Sequence, residues 1–299
     1  MSNAAPGDDV WTVQRILSWT TDYLADHGIQ SARLEAELLC AHARQCPRIR
    51  LYTDLDFPLS HKERIRMREY VRRRAHREPL AYITGRREFY GRNFEVGPGI
   101  LIPRPETETL IDLALEKIPK EIPSTIAEVG FGSGCIAITL AAQRPKCHIV
   151  ATDTSHVCLQ YARRNADALN VSDRVGFVPG DGLNPIRELA VSSEFDGLVS
   201  NPPYICEHEL PGLQPEVSQH EPAEALVSGS EGLDFIRGLI PEAAGVLRPG
   251  AWIALECDPA QCAIVAQLMN ASGFVHPQIH RDHRDVDRIV TAVKQESLS

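Results

Sequence analysis

The chain lacks any apolar run approaching the roughly twenty residues that cross a bilayer, which excludes a helical membrane span. Its opening, Met1 to Asp9, has neither the basic start nor the apolar stretch of a secretory signal, so export is not expected. The eight cysteines include no Cys-x-x-Cys pair and sit mostly in apolar stretches, which argues for reduced, buried thiols and against disulfides or a zinc site. A cytoplasmic protein without a metal is expected. There is no internal repeat, and the only low-complexity stretch is the Pro- and Glu-rich Glu207 to Glu224. Positive charge is scarce where a nucleic-acid enzyme would need it: residues 86–299 hold 18 basic and 29 acidic side chains, a poor match to DNA phosphates, whereas residues 1–85 hold 13 and 11.

At 299 residues and 43% hydrophobic content the chain is long enough for two domains with filled cores. It divides near residue 85, because apolar positions recur at helical spacing before it and in short runs after it. Val13, Ile16, Leu17 and Leu24 form one stripe, and Leu34, Leu38 and Leu39 begin another. Ser60 with Glu63 predicts a capping box for a further helix. Eight cations between Lys62 and Arg77 on that helix suit either an acidic-protein or RNA contact, or a solvated face with Ile65 and Val71 turned inward. Arg86 to Gly97 reads as a hairpin linking a helical domain, 1–85, to a catalytic domain, 99–299. From there strands and helices alternate, and Phe274 to Ile279 and Ile289 to Val293 follow one another without a long helix, predicting an antiparallel edge. An α/β fold with a seven-stranded mixed sheet is expected.

The most informative residues are Asn201-Pro202-Pro203-Tyr204, at the carboxyl end of the predicted strand Phe195 to Ser200, where open α/β sheets place ligands. The Asn201 side-chain carbonyl and the Pro202 backbone carbonyl can each accept one N–H of a planar NH2 group, and the fixed φ of proline aims the second acceptor. Tyr204 can cover the flat face. Acceptors that tighten as positive charge builds on nitrogen favour the transition state over the ground state. The chemistry this suits is methylation of a poorly nucleophilic nitrogen.

A donor site is predicted upstream, where the strand Thr125 to Val129 enters Gly130-Phe131-Gly132-Ser133-Gly134 and a helix. A dinucleotide fingerprint would put its third glycine at position 135, which is Cys135, so a pyrophosphate cradle is disfavoured. Glu128, just before the turn, suits a ligand with a positive charge and an amino group, as the methionine part of S-adenosylmethionine has. Asp153 ends the next strand and can accept ribose hydroxyls. Asp181, with Gly182, follows the third strand and can accept an adenine amino group. Each acid taken singly could instead be a turn or cap residue.

These residues resemble the class I S-adenosylmethionine-dependent methyltransferases, with their Rossmann-like sheet, and within them the glutamine methyltransferases that modify peptide chain release factors. The resemblance extends over Pro79 to Gly85, Phe89 to Gly91, Ile102 to Glu108, Glu128 to Gly134, Asn201 to Ile205, Glu221 to Ala223 and Asp282 to Arg288. It implies S-adenosylmethionine on Gly130 to Gly134, Asp153, Asp181, Gly182 and Asn201, and the glutamine of a Gly-Gly-Gln loop on Asn201 to Tyr204. A release factor is the implied partner, with no membrane and no direct nucleic-acid contact, and a monomer is expected. The chain departs from the family pattern at Phe131, where a small hydroxyl residue is usual, and at Gly182, where an aromatic is common. A glutamine methyltransferase of a ribosomal protein and an adenine-N6 nucleic-acid methyltransferase share the Asn-Pro-Pro-Tyr logic. A dinucleotide-dependent oxidoreductase would leave Asn201 to Tyr204 idle.

Overall fold

The computed structural model describes residues 10–188 and 195–296; Met1 to Asp9, read above for the missing secretory signal, lie outside the described residues. The chain forms two compact units, Met1–Gly85 and Arg86–Ser299.

The first unit is helical. Helix α1 (Val13–Asp26) starts at Thr12, whose side chain accepts the Arg15 N–H at 3.2 Å, and it buries Val13, Ile16, Leu17 and Leu24 as the stripe predicts. Helix α2 (Ala32–Arg44) buries Ala32, Ala36, Leu39, Cys40 and Ala43, while Leu34 is 44% exposed. Of the expected leucine stripe Leu39 is buried, Leu38 half-buried and Leu34 outside, because the face turned inward is made largely of alanines. A single turn, α3 (Arg50–Thr53), precedes α4 (His61–Ala75), whose capping box is formed: Ser60 N–H donates to Glu63 at 2.7 Å and Glu63 N–H to Ser60 Oγ at 3.3 Å. Met67 and Val71 of α4 point inward, and Ile65, expected inside, is exposed. Helix α5 (Leu80–Thr84) closes the unit.

The second unit begins with the hairpin β1 (Arg86–Phe89) and β2 (Arg92–Glu95). Helix α6 (Thr107–Lys117) leads to β3 (Ser124–Val129), α7 (Cys135–Gln143), β4 (Cys147–Asp153), α8 (His156–Ala168), β5 (Val175–Pro179) and α9 (Asn184–Glu188). Strand β6 (Phe195–Ser200), the short α10 (Pro215–Ser218), α11 (Asp234–Val246), β7 (Leu247–Glu256), α12 (Cys262–Ala271), β8 (Phe274–Arg281) and β9 (Asp287–Lys294) complete it.

Seven strands form one sheet in the order β5-β4-β3-β6-β7-β9-β8. All pairings from β5 to β7 are parallel, and β9 runs antiparallel to both β7 and β8, so the mixed sheet and its antiparallel edge pair are as expected. Parallel strands covered by helices on both faces are apolar throughout: Ile126, Ala127, Leu198, Val199, Ile253, Ala254 and Leu255 have no exposed surface. The chain proceeds outward from β3 through β4 and β5, then returns to lay β6 against the other side of β3. The reversal opens a crevice at the carboxyl ends of β3 and β6, the usual ligand position of such sheets. Among the described residues no helix is long and apolar enough to cross a membrane. All eight cysteines are free, five of them buried.

Candidate active site

Gly130, Gly132 and Gly134 all adopt left-handed φ, of 78°, 51° and 80°. Such angles are strained for other residues and let the chain turn sharply off β3 into α7. A Cβ added at Gly134 would lie 2.8 Å from Ile138 Cδ1, whereas one at Gly132 would meet nothing within 4 Å. Gly134 thus serves packing, and Gly132 faces open space. The Phe131 side chain is buried in edge contact with Phe177, ring centroids 4.9 Å apart, so the turn offers its backbone at this position. Ser133 is buried as well, its carbonyl accepting from Asn165 Nδ2 at 2.9 Å. Asn165 also donates to the Glu95 carbonyl and accepts from the Glu95 N–H, pinning the hairpin to α8 beside the turn.

Asp153 closes β4 with Oδ2 accepting from Gly132 N–H at 2.9 Å and Oδ1 from Ser155 N–H at 2.9 Å. Burial pushes its carboxyl above the usual range. The Gly180 N–H donates to the Asp153 carbonyl at 2.9 Å, which brings the loop bearing Asp181 beside the end of β4. Asp181 itself is exposed. Gly182 has a φ of 56°, its carbonyl accepts from Thr152 Oγ1 at 2.8 Å, and a Cβ there would come within 2.8 Å of Glu242 Oε2. The loop geometry thus accounts for a glycine where the family commonly has an aromatic.

Glu128 is fully buried at the end of β3, and neither carboxylate oxygen has a hydrogen-bond partner among the described residues. Burial pushes its carboxyl up to about 8, with the nearby Ala137 backbone N–H opposing the rise and the Asp153 charge adding to it. A buried acid without a partner is costly unless a ligand satisfies it. A cationic amino group of S-adenosylmethionine fits that need, and the open backbone at Gly132 and the Asp153 carboxylate fit the rest of the donor.

Across the crevice, Asn201 leaves β6 next to the glycine turn: a Cβ on Gly130 would lie 3.9 Å from the Asn201 carbonyl oxygen. Asn201 Nδ2 donates to Thr107 Oγ1 at 3.1 Å. Among the described residues no donor reaches Asn201 Oδ1 or the Pro202 carbonyl. Pro202 is buried, and Tyr204 and Pro203 are partly so. Tyr204 is held three ways: its N–H donates to the Leu226 carbonyl at 3.1 Å, its carbonyl accepts from Gln261 Nε2 at 2.9 Å, and its hydroxyl approaches Glu256 Oε1 at 3.4 Å. Burial raises the Tyr204 hydroxyl pKa, keeping it protonated. Gln261 is set in turn by the loop after β7, where its Oε1 accepts the Asp258 N–H at 3.2 Å, so this loop supports Tyr204.

These residues line a cavity of about 340 Å³, walled by Asn201, Pro202, Tyr204 and Glu256 and by Leu213 and Val217 of the Pro- and Glu-rich stretch. Glu221, at the end of that stretch, accepts from Arg104 at 2.6 Å and from Ile102 N–H at 3.0 Å, anchoring it over the site. Sequence reasoning missed Thr107, Glu256 and Gln261. A glutamate closing the otherwise apolar strand Trp252 to Glu256 was the available signal, the same one that marks Glu128.

In the first unit, Trp11, Trp19, Tyr23, Arg64, Arg68 and Arg72 line a groove of about 670 Å³ between α1 and α4. Trp19 and Tyr23 are stacked, centroids 4.9 Å apart. Of the eight cations on and just after α4, four are engaged within the unit: Arg66 donates to the Ala43 carbonyl, Arg73 pairs with Glu78, Arg74 with Glu35, and Arg77 donates to the Gly28 carbonyl.

Residues 15–85 match the family described as PrmC N-terminal domain, and residues 109–217 match the methyltransferase small domain. The chain is 40% identical to the release factor glutamine methyltransferase of Geobacter sulfurreducens, over 94% of this chain and 96% of that one. It is likewise 40% identical to that of Chlorobaculum tepidum, over 97% and 100%. A methyltransferase structure from Pyrococcus furiosus, 20% identical, superposes with a TM-score of 0.51 over 69% of this chain and 91% of that one, a likeness of fold. The near full-length identity, on the sheet order and crevice described here, makes the chain a member of the release factor glutamine methyltransferase family.

Proposed function

We propose that the protein transfers a methyl group from S-adenosylmethionine to the side-chain nitrogen of the glutamine in the Gly-Gly-Gln loop of peptide chain release factors. What carries the reading is the pair of unengaged acceptors, Asn201 Oδ1 and the Pro202 carbonyl, standing beside the glycine turn. Two acceptors and no donor suit an NH2 group, and membership of the family selects glutamine over adenine. The acidic balance of residues 86–299 also disfavours DNA.

When bound, S-adenosylmethionine supplies an electrophilic methyl on a sulfonium. Glu128 would hold its amino group, the backbone of Gly130 to Gly134 would face it, Asp153 would take the ribose hydroxyls, and Asp181 with Gly182 would take the adenine. Asn201 and Pro202 would hold the two N–H bonds of the acceptor amide; as the N–C bond forms the sulfonium S–C bond breaks, and one N–H proton is then lost to solvent. Both hydrogen bonds strengthen as charge develops on that nitrogen. Tyr204 and Pro203 cover the amide plane and exclude water. Residues 1–85 serve substrate recognition, 86–98 join them to the catalytic residues 99–299, and the enzyme works in the cytoplasm as a monomer.

Incubation with labelled S-adenosylmethionine and purified release factor, ribosomal protein or DNA, followed by mass spectrometry, tests this directly. Label on the release-factor glutamine is expected; label on adenine or on a ribosomal protein instead would replace the assignment.

A further inference from the structure

Three residues from three separate elements meet behind the acceptor site. Thr107, the first residue of α6, is 2% exposed, and Glu256, the last of β7, is 1% exposed. Thr107 Oγ1 donates to Glu256 Oε2 at 2.8 Å and accepts from Asn201 Nδ2 at 3.1 Å. We infer that Thr107 and Glu256 are positioning residues that fix which way the Asn201 amide faces, and thereby select an acceptor that presents NH2. This rests on the proposed glutamine methylation and deepens it.

The reasoning is one of proton counting. An ionised carboxylate only accepts, and a threonine hydroxyl has a single proton. With that proton committed to Glu256, Thr107 can only accept from Asn201, and only the amide NH2 can donate. Oδ1 is therefore turned toward the substrate. Without Glu256 the hydroxyl could donate to Oδ1 equally well, and the flipped amide would oppose NH2 to NH2. The two orientations of an asparagine differ little in shape, so a hydrogen-bond partner of fixed polarity has to choose between them.

The setting of Glu256 makes its charge conditional. Burial pushes its carboxyl up to about 7, with Thr107, Arg288 and Tyr204 opposing the rise and Glu106 adding to it. Thr107 and Glu106 approach from the start of α6, Tyr204 from the loop after β6 and Arg288 from β9; Arg104 and Arg288 line the same cavity. A protonated Glu256 can donate to Thr107 Oγ1, which frees the hydroxyl to donate to Oδ1 and permits the flip. Turnover then rises as Glu256 ionises, while donor binding stays out of the relay.

The test compares wild type, Thr107→Val, Thr107→Ser and Glu256→Gln with labelled S-adenosylmethionine and purified release factor. Thr107→Val and Glu256→Gln should lower kcat at least tenfold with unchanged donor affinity by calorimetry, Thr107→Ser should stay within about threefold of wild type, and the acidic limb of the kcat profile near pH 7 should disappear in Glu256→Gln. Near-normal kcat in Thr107→Val, or equal losses in Thr107→Ser and Thr107→Val, would overturn the inference. In parallel, the Asn201 side-chain amide resonances, assigned through Asn201→Asp, should shift with pH in wild type but not in Glu256→Gln; resonances that ignore Glu256 would also overturn it. That readout needs no acceptor. A wild-type enzyme that leaves release factors unlabelled would thus count against the methylation reading alone.

Discussion

The Gly132 N–H donates to Asp153 Oδ2 at 2.9 Å, so the glycine turn after β3 is tied to the end of β4 by the same carboxylate proposed to hold the ribose. Turn shape and donor affinity therefore depend on one side chain. Asp153→Ala should weaken S-adenosylmethionine binding by about 1.5–3 kcal/mol, the range for hydrogen bonds to a charged acceptor. Asp153→Asn should lose less, because an amide oxygen can still accept from Gly132. Calorimetry giving wild-type affinity for Asp153→Ala would place the ribose elsewhere.

The Glu128 carboxyl links stability to pH with a definite sign. Its folded value of about 8 lies above the ordinary 4.5, so between those values the folded chain binds the proton and the unfolded chain does not. The Glu128 contribution to ligand-free stability should be fully present below about pH 4.5 and be lost as pH rises toward 8, with Glu256 acting in the same direction below about 7. Thermal unfolding from pH 5 to 8.5 should show this decline, and Glu128→Gln should flatten it. Donor binding near pH 7 should release a proton in wild type only, read by calorimetry in buffers of different ionisation enthalpy. An identical slope in Glu128→Gln would show that another group carries the linkage.

Asn201→Ala should keep the fold and most donor binding yet lower turnover roughly a hundred- to a thousandfold, as loss of a preorganised transition-state acceptor does. Asn201→Asp retains one acceptor and should keep partial activity. A glutamine-to-glutamate change in the acceptor loop leaves no NH2 to hold, and label appearing on that substrate would contradict the proposed grip.

Recognition by the first unit is best probed at Arg68 and Arg72, which line the groove beside Trp19 and Tyr23. Arg73 is unsuitable, since it donates to Glu78 at 2.8 Å and its reversal would disturb that pair. If the groove receives an acidic surface of the release factor, Arg68→Glu with Arg72→Glu should raise KM for that protein several-fold, spare donor affinity and lessen the salt sensitivity of the rate. Unchanged kinetics at low salt would make these arginines a solvated face.

Much of the molecule was legible in the sequence, because local patterns act through local physics. The capping box at Ser60 and Glu63, the strands ending at Val129, Asp153 and Ser200, and the Gly130 to Gly134 turn all follow from propensity, periodicity and the φ freedom of glycine. Asn201 and Pro202 can be proposed as acceptors from residue chemistry alone, the one for its amide oxygen and the other for the backbone carbonyl that its fixed φ aims. What only the tertiary structure decided were relations across the chain. It turned α2 on its alanine face and left Leu34 outside, since the closest approach of two helices depends on both. It buried Phe131 against Phe177 and committed half of the eight cations from Lys62 to Arg77 to partners. It also set Thr107 and Glu256, 149 residues apart in sequence, at 2.8 Å behind Asn201. No window of sequence contains that contact, because it exists only where the sheet order brings β6, β7 and the start of α6 to one end of the crevice.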